Sequence, residues 1–343
     1  MKIVVFGPDK RVGILRDETV VDVSYAVAKY LHERQGERLA HELAGAIAPA
    51  GLARFIEAGP RALDHAQKAV DYLFGDVHDQ QGTRGEQIIH VASEVILHAP
   101  RPSDARIAMA GGNFADHAEA MAKRASARGE MRAFEGNARD EIRKTGIWGF
   151  WKIGRDALDP EADMILPERG RTIDYEGEAA IIIAKQGKDL KQKDLKDYVW
   201  GVTLVNDWSI RGVPEPGPLK FAMQKNFDTS VSLGPCIVVG ELDPNNVPVE
   251  TIVAGERRQN FNTKDMVFSF AEYLEWLSRD LTFFPGDIIS GGTAAGTAAD
   301  SSPLNPDGTV SDLKFLKAGQ IVEVKSPAIG TLRNRVVAKG KNA

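Results

Sequence analysis

The stretch Asp174-Tyr175-Glu176-Gly177-Glu178-Ala179-Ala180-Ile181-Ile182-Ile183 constrains this chain most. Its body is apolar on both faces, as in a strand buried inside a sheet. Alternate side chains of a strand share a face, so Glu176 and Glu178 point the same way. Two like charges entering a buried strand repel each other and lose hydration, which is costly unless a cation compensates. A divalent ion does so directly, and carboxylates are its preferred ligands. Gly177 leaves room on the opposite side. The competing reading is an exposed strand end with both glutamates solvated. Asp207 ends a second strand, GVTLVND, and offers a third carboxylate; as a plain structural residue it makes an Asx turn.

The histidines are His32, His41, His65, His78, His90, His98 and His117, and the one cysteine is Cys236. Beyond residue 117 the chain therefore offers carboxylates but no imidazole. A metal held there must accept oxygen ligands, so Mg²⁺, Mn²⁺ or Ca²⁺ before Zn²⁺. A catalytic histidine has to come from the first third. His117, in Asn113-Phe114-Ala115-Asp116-His117, falls in the first turn of a helix capped by Asp116 or Asn113. The helix N-terminus there favours the neutral imidazole, the form a general base needs. The alternative is a histidine on a helix surface.

With 43% hydrophobic and 27% charged residues, the 343-residue chain reads as ordinary and globular. A net charge of −5 with no basic stripe gives no reason to expect nucleic acid. No segment resembles a signal peptide or a membrane span, so a cytoplasmic location is the default. Residues 1–95 read as a small α/β N-terminal domain: short strands in KIVVFG, RVGIL and ETVVDVS, then helices near Tyr25–Leu31 and Ala62–Leu73. Asp76–Gln87 is a plausible linker. Residues 96–343 read as a β-rich α+β domain with mixed sheets and no regular βαβ rhythm. The charged segment from about Ala120 to Gly149 is either a solvated helix or a mobile lid beside His117.

Two further features suggest ligand contacts. Lys225 precedes the strand LGPCIV, although it also fits a surface loop paired with Asp228. The loop Gly291-Gly292-Thr293-Ala294-Ala295-Gly296 lacks the spacing of a nucleotide motif, but its backbone and the Thr293 hydroxyl can meet an anion.

The ordered set NFADH, FWK, DYEGE, VNDWSIR, KNFD with LGP, PGD with GGTAAG, and IGTLRNRV resembles the fumarylacetoacetate hydrolase superfamily, from about Arg106 to Val337. The resemblance implies a mostly β larger domain, usually a homodimer, with a divalent ion on Glu176, Glu178 and Asp207. It implies His117 as the water-activating base. It also implies that Lys225 and Thr293, with Arg211, Lys152 and Gly292, bind or polarise the oxygens of a small keto acid. Members often carry a glutamate three residues after the histidine; here that position is Ala120 and the nearby acid is Glu119. The resemblance thus implies hydrolytic C–C cleavage of a 2,4-dioxo (acylpyruvate-like) acid, with decarboxylation or keto–enol isomerisation at the same metal site as the alternative. A site that binds without catalysis is the reading from another class.

Overall fold

The computed structural model describes residues 1–75, 79–127, 129, 133–170, 172–212, 220–305 and 310–340. An eleven-stranded sheet forms the centre. Its strands run in the order Ile89–Val91, Thr19–Asp22, Arg11–Arg16, Lys2–Phe6, Val231–Val238, Val199–Asp207, Gly177–Ile183, Ile288–Ser290, Ile107–Ala110 and Gly149–Lys152. Leu97–His98 pairs with Lys2–Phe6 beside this path. Most pairings are antiparallel; Ile288–Ser290 runs parallel to Ile107–Ala110. A five-stranded sheet (Glu256–Asn262, Pro248–Val253, Ile321–Ser326, Gly330–Val337 and Asp163–Ile165) and a two-stranded one (Ser209–Arg211 with Thr172–Asp174) complete the β structure. The expected mixed-sheet α+β architecture is thus the one observed.

The sheet runs unbroken across residue 95, where a separate N-terminal unit was expected to end. Lys2 and Ile3 pair with Val238 and Ile237. Helices Val23–Gln35 and Gly59–Gly75 lay Val27, Leu31, Val70 and Leu73 into the same apolar cluster as Ile182, Leu233 and Ile288. Through this pairing the N-terminal strands extend the larger sheet. Asp22 caps the first helix by accepting from the Tyr25 N–H at 3.1 Å, and Gly36 in the left-handed region ends it. Of the expected linker, residues 76–78 lie outside the described residues; these include His78.

Two features of register build the site. Gly177–Ile183 pairs with Val199–Asp207 antiparallel, with Gly177 opposite Asn206. The start of one strand therefore meets the end of the other, which brings Glu176 and Glu178 beside Asp207. The strands Ile288–Ser290 and Ile107–Ala110 are parallel, so the loops that follow them leave from the same end. One carries Gly292 and Thr293, and the other leads to the helix Ala115–Ala127 with His117. Among the described residues no helix is long and apolar enough to cross a membrane.

Candidate active site and metal centre

Glu176, Glu178 and Asp207 are all buried, and each offers an oxygen within 4.8 Å of the others. Gly177 faces the other side of the strand, where a Cβ would sit 2.1 Å from the Thr251 hydroxyl oxygen, so the strand packs closely there. The expectation that only an ion makes such closeness tolerable needs correction, because side-chain cations carry part of the compensation. Lys225 donates to Glu176 at 2.6 Å and to Asp207 at 2.8 Å. Arg211 bonds Asp174 at 3.0 Å and also Glu176. Lys152 lies 2.6 Å from Asp207 Oδ1. The tally is four carboxylates, with Asp174 included, against three cations.

The surplus falls on Glu178. It has no cation of its own among the described residues, only the Ser290 hydroxyl as donor. Burial, and then the charges of Asp207 and Glu176, push its carboxyl well above the usual 4.5. Burial acts the same way on Glu176, but Lys225 and Arg211 outweigh it and hold that carboxyl far below its ordinary range. Asp207 Oδ1 is buried and accepts no hydrogen bond. Its nearest cation is the Lys152 ammonium at 2.6 Å, which also donates to the carbonyls of Trp208, Lys225 and Ser230. An uncompensated glutamate and an all-oxygen donor set fit a divalent cation such as Mg²⁺, Mn²⁺ or Ca²⁺.

Lys225 was open to being read as a surface residue paired with Asp228. It ends the helix Lys220–Lys225 and is buried among the acids. Burial lowers its pKa, but Asp207 and Glu176 more than reverse this. For Lys152 the balance goes the other way: burial prevails over Asp207, and its pKa falls to about 8.

His117 stands in the first turn of its helix, as expected, and is buried. Asn113 does not cap that helix. Its amide donates to the carbonyls of Phe268 and Gly291 and accepts from the Phe268 N–H, so it ties the glycine-rich loop to the next segment. Asp116 accepts from the N–H of His117 itself at 2.7 Å. The acid partner of His117 is Asp300, with Oδ2 2.8 Å from Nδ1. An ionised carboxylate only accepts, so Nδ1 carries the hydrogen and leaves Nε2 bare in the neutral ring. The expectation of a neutral imidazole also changes. Burial lowers the pKa, but Asp300 and then Glu176 outweigh it and hold it above the ordinary 6.5.

Glu119 is exposed on the far side of the helix turn. Replacing it with alanine is expected to leave kcat/KM within about twofold of the parent; steady-state kinetics would check this, and a large loss would return Glu119 to the site. Asp300, 183 residues from His117, was not identified from sequence. The available signal, Thr297-x-x-Asp300, reads only as a helix capping box, which it also is. Ser290 and Asp174 were missed as well. Asp174 accepts from Arg211 and from the N–H groups of Ala298 and Ala299, and so links the arginine to the helix that bears Asp300.

The Thr293 hydroxyl donates to the Gly177 carbonyl at 2.9 Å and accepts from Gln259 at 2.8 Å. It locks the loop to the glutamate strand and keeps a spare lone pair, but no free hydrogen, for a ligand. Gly292 has φ +86°, and a Cβ there would lie 3.0 Å from the Ala110 carbonyl oxygen. Only glycine suits that conformation at that distance.

A cavity of about 340 Å³ opens over this cluster, reached by His117, Glu176, Glu178, Arg211, Lys225 and Thr293. Its roof comes from the segment that was read as either a solvated helix or a lid. Helices Ala115–Ala127 and Ala138–Thr145 turn Met121, Ala122 and Ile142 into the cavity. Arg139 pins the roof to the Met266 carbonyl at 2.8 Å, and Arg143 to Glu272 at 2.5 Å. Residues 128 and 130–132 of that segment lie outside the described residues.

With the carboxylate cluster, the histidine pair and the cavity in place, comparison with known proteins gives the lineage. The profile of the fumarylacetoacetate (FAA) hydrolase C-terminal family matches residues 106–337. The chain belongs to the fumarylacetoacetate hydrolase family. Within it, the chain is 29% identical to the oxaloacetate tautomerase YisK of Bacillus subtilis over 326 residues, 94% of each protein. It is similar to the structure of a 5-carboxymethyl-2-hydroxymuconate delta-isomerase from Mycobacterium smegmatis: 28% identity, TM-score 0.57, over 74% of this chain and 86% of that one. It is also similar to a fumarylacetoacetate hydrolase from Exiguobacterium antarcticum: 25% identity, TM-score 0.66, over 99% and 100%. Family members thus include tautomerases, isomerases and hydrolases, and this chain is an enzyme of that group.

Proposed function

We propose that this family member moves a proton on a small 2-keto acid bound at a divalent ion, Mg²⁺ before Mn²⁺ or Ca²⁺, and that the outcome is keto–enol isomerisation. The observation that supports a proton-transfer step is the His117–Asp300 pair, buried at the wall of a cavity that also reaches Glu176 and Glu178. Glu176, Glu178 and Asp207 would hold the ion, which supplies a Lewis acid for the acid's carboxylate and keto oxygens and stabilises enolate charge. His117 Nε2 takes the proton from the carbon beside the keto group and returns it to oxygen, or the reverse. Asp300 fixes the ring's tautomer and steadies the imidazolium. Lys225 and Arg211 add positive charge near the developing enolate.

The matched tautomerase and isomerase support this outcome. C–C hydrolysis of an acylpyruvate is the second reading. Asp300 favours it by supplying the acid partner that Ala120 does not, and a base so oriented can also activate water. Incubation of 2,4-dioxo acids with the Mg²⁺-loaded enzyme in D₂O separates the outcomes. Isomerisation incorporates deuterium at the carbon between the carbonyls, faster than the uncatalysed exchange, and leaves the chain whole. Two acid products mean hydrolysis, and CO₂ means decarboxylation. Metal binding without any turnover would overturn the enzymatic reading.

A further inference from the structure

The cavity has two unlike ends. Toward the sheet lie the carboxylates, Lys225, Arg211 and His117. Away from it the wall is Met121, Phe134, Ile142, Trp148 and Phe221, and Phe150 joins the two, its ring centroid 4.9 Å from Lys225 Nζ. Trp148 and Phe221 meet edge to face with ring centroids 5.9 Å apart, and Phe221 meets Phe150 the same way at 5.2 Å. Trp148 is 44% exposed and Phe221 40%. Aromatic rings left half open at a cavity wall gain by being covered. Thr145, a polar residue on this side, already donates its hydroxyl to the Glu141 carbonyl at 3.0 Å.

The charges are distributed just as unevenly. Among the described residues, the lysine and arginine that line the cavity are Lys225 and Arg211, and both are bonded to the carboxylates at the floor. A carboxylate placed against these rings would lose its hydration, and among the described residues the nearest cation lining the cavity is Lys225, 4.9 Å from the Phe150 ring centroid and already bonded to Glu176 and Asp207. The volume of about 340 Å³ lies at the lower end of the range, about 300–1,000 Å³, of small-molecule pockets. A four-carbon diacid leaves much of it unfilled.

We propose that the substrate is a 2-keto acid bearing an apolar, flat substituent beyond its chelating end, an aryl or bulky acyl group rather than a second carboxylate. This rests on the chelating site proposed above, and the test separates the two. Calorimetry on the full chain with Mg²⁺ compares three unreactive probes with one oxalyl core: oxamate, N-phenyloxamate and N-oxalylglycine, which has a charged tail. N-Phenyloxamate is expected to bind at least about tenfold more tightly than oxamate, because burying one ring is worth that much, and N-oxalylglycine no more tightly than oxamate. Trp148→Ala and Phe221→Ala should each shrink the ratio of N-phenyloxamate to oxamate affinity. Equal binding of all three probes, a preference for N-oxalylglycine, or an unchanged ratio in both variants would overturn the apolar subsite while leaving the chelating site intact. Failure of oxamate itself to bind with Mg²⁺, Mn²⁺ or Ca²⁺ would remove the chelating site, and this inference with it.

Discussion

Glu178→Gln is expected to abolish metal binding and turnover while leaving the ion-free protein at least as stable as the parent. The two effects have one cause. Glu178 is buried, faces Asp207 and Glu176, and has the Ser290 hydroxyl as its donor. Its folded-state pKa lies above its unfolded value. The stability linked to this group is therefore present in acid and lost as pH rises from about 4.5 through the raised folded value, so at neutral pH the charge works against folding. Glutamine keeps the shape and removes the charge. An ion that relies on that charge loses a ligand, and its affinity should fall by more than the about 10–100-fold typical of losing an outer-shell partner. Calorimetry for the metal and a melting curve without metal check both halves. A variant that binds metal normally, or whose ion-free form melts well below the parent, would mean Glu178 is not an uncompensated ligand. Asp207→Asn is the contrasting case. It strips Lys152 and Lys225 of a buried anion, so it should cost about 3–5 kcal/mol of stability as well as activity.

His117→Ala is expected to lower kcat by about 10²–10⁴-fold, the usual range for a general base, and to leave metal affinity unchanged. His117 bonds Asp300 and none of the three carboxylates that would hold the ion. Asp300→Asn should cost less and should shift the pH profile. The carboxylate helps hold the imidazole pKa above 6.5, so its loss lowers that pKa and moves the acid limb of kcat/KM to lower pH. A pH profile identical to the parent's would mean that Asp300 serves only as the cap of its own helix. Full activity in His117→Ala would take the histidine out of the mechanism.

How far the site could be read from sequence depended on how local each signal was. Glu176 and Glu178 stand two apart at the mouth of an apolar run, and Asp207 ends the next long apolar run. Strand periodicity and chain composition are enough to single out such residues. The same reasoning overvalued the ion, because it could not see Lys152, Lys225 and Arg211 folding back among the acids. Lys225 sits in a polar stretch that resembles any surface loop. Only the helix Lys220–Lys225 turns it inward. Ser269 and Glu272 start the helix Phe270–Leu277 with a capping box, and Asn113 bonds Phe268 just before it.

By itself, the sequence pointed to the β-rich class, and through residue type, short-range period and family resemblance it marked out the carboxylate set, His117 and an all-oxygen donor set as candidates. The tertiary structure decided which acid partners His117, which cations share the carboxylates, and that the N-terminal strands join the central sheet. Those are contacts between residues far apart in the chain, such as 117 with 300 and 3 with 237. Nothing in local composition distinguishes such a partner from any other aspartate or valine until packing brings it near.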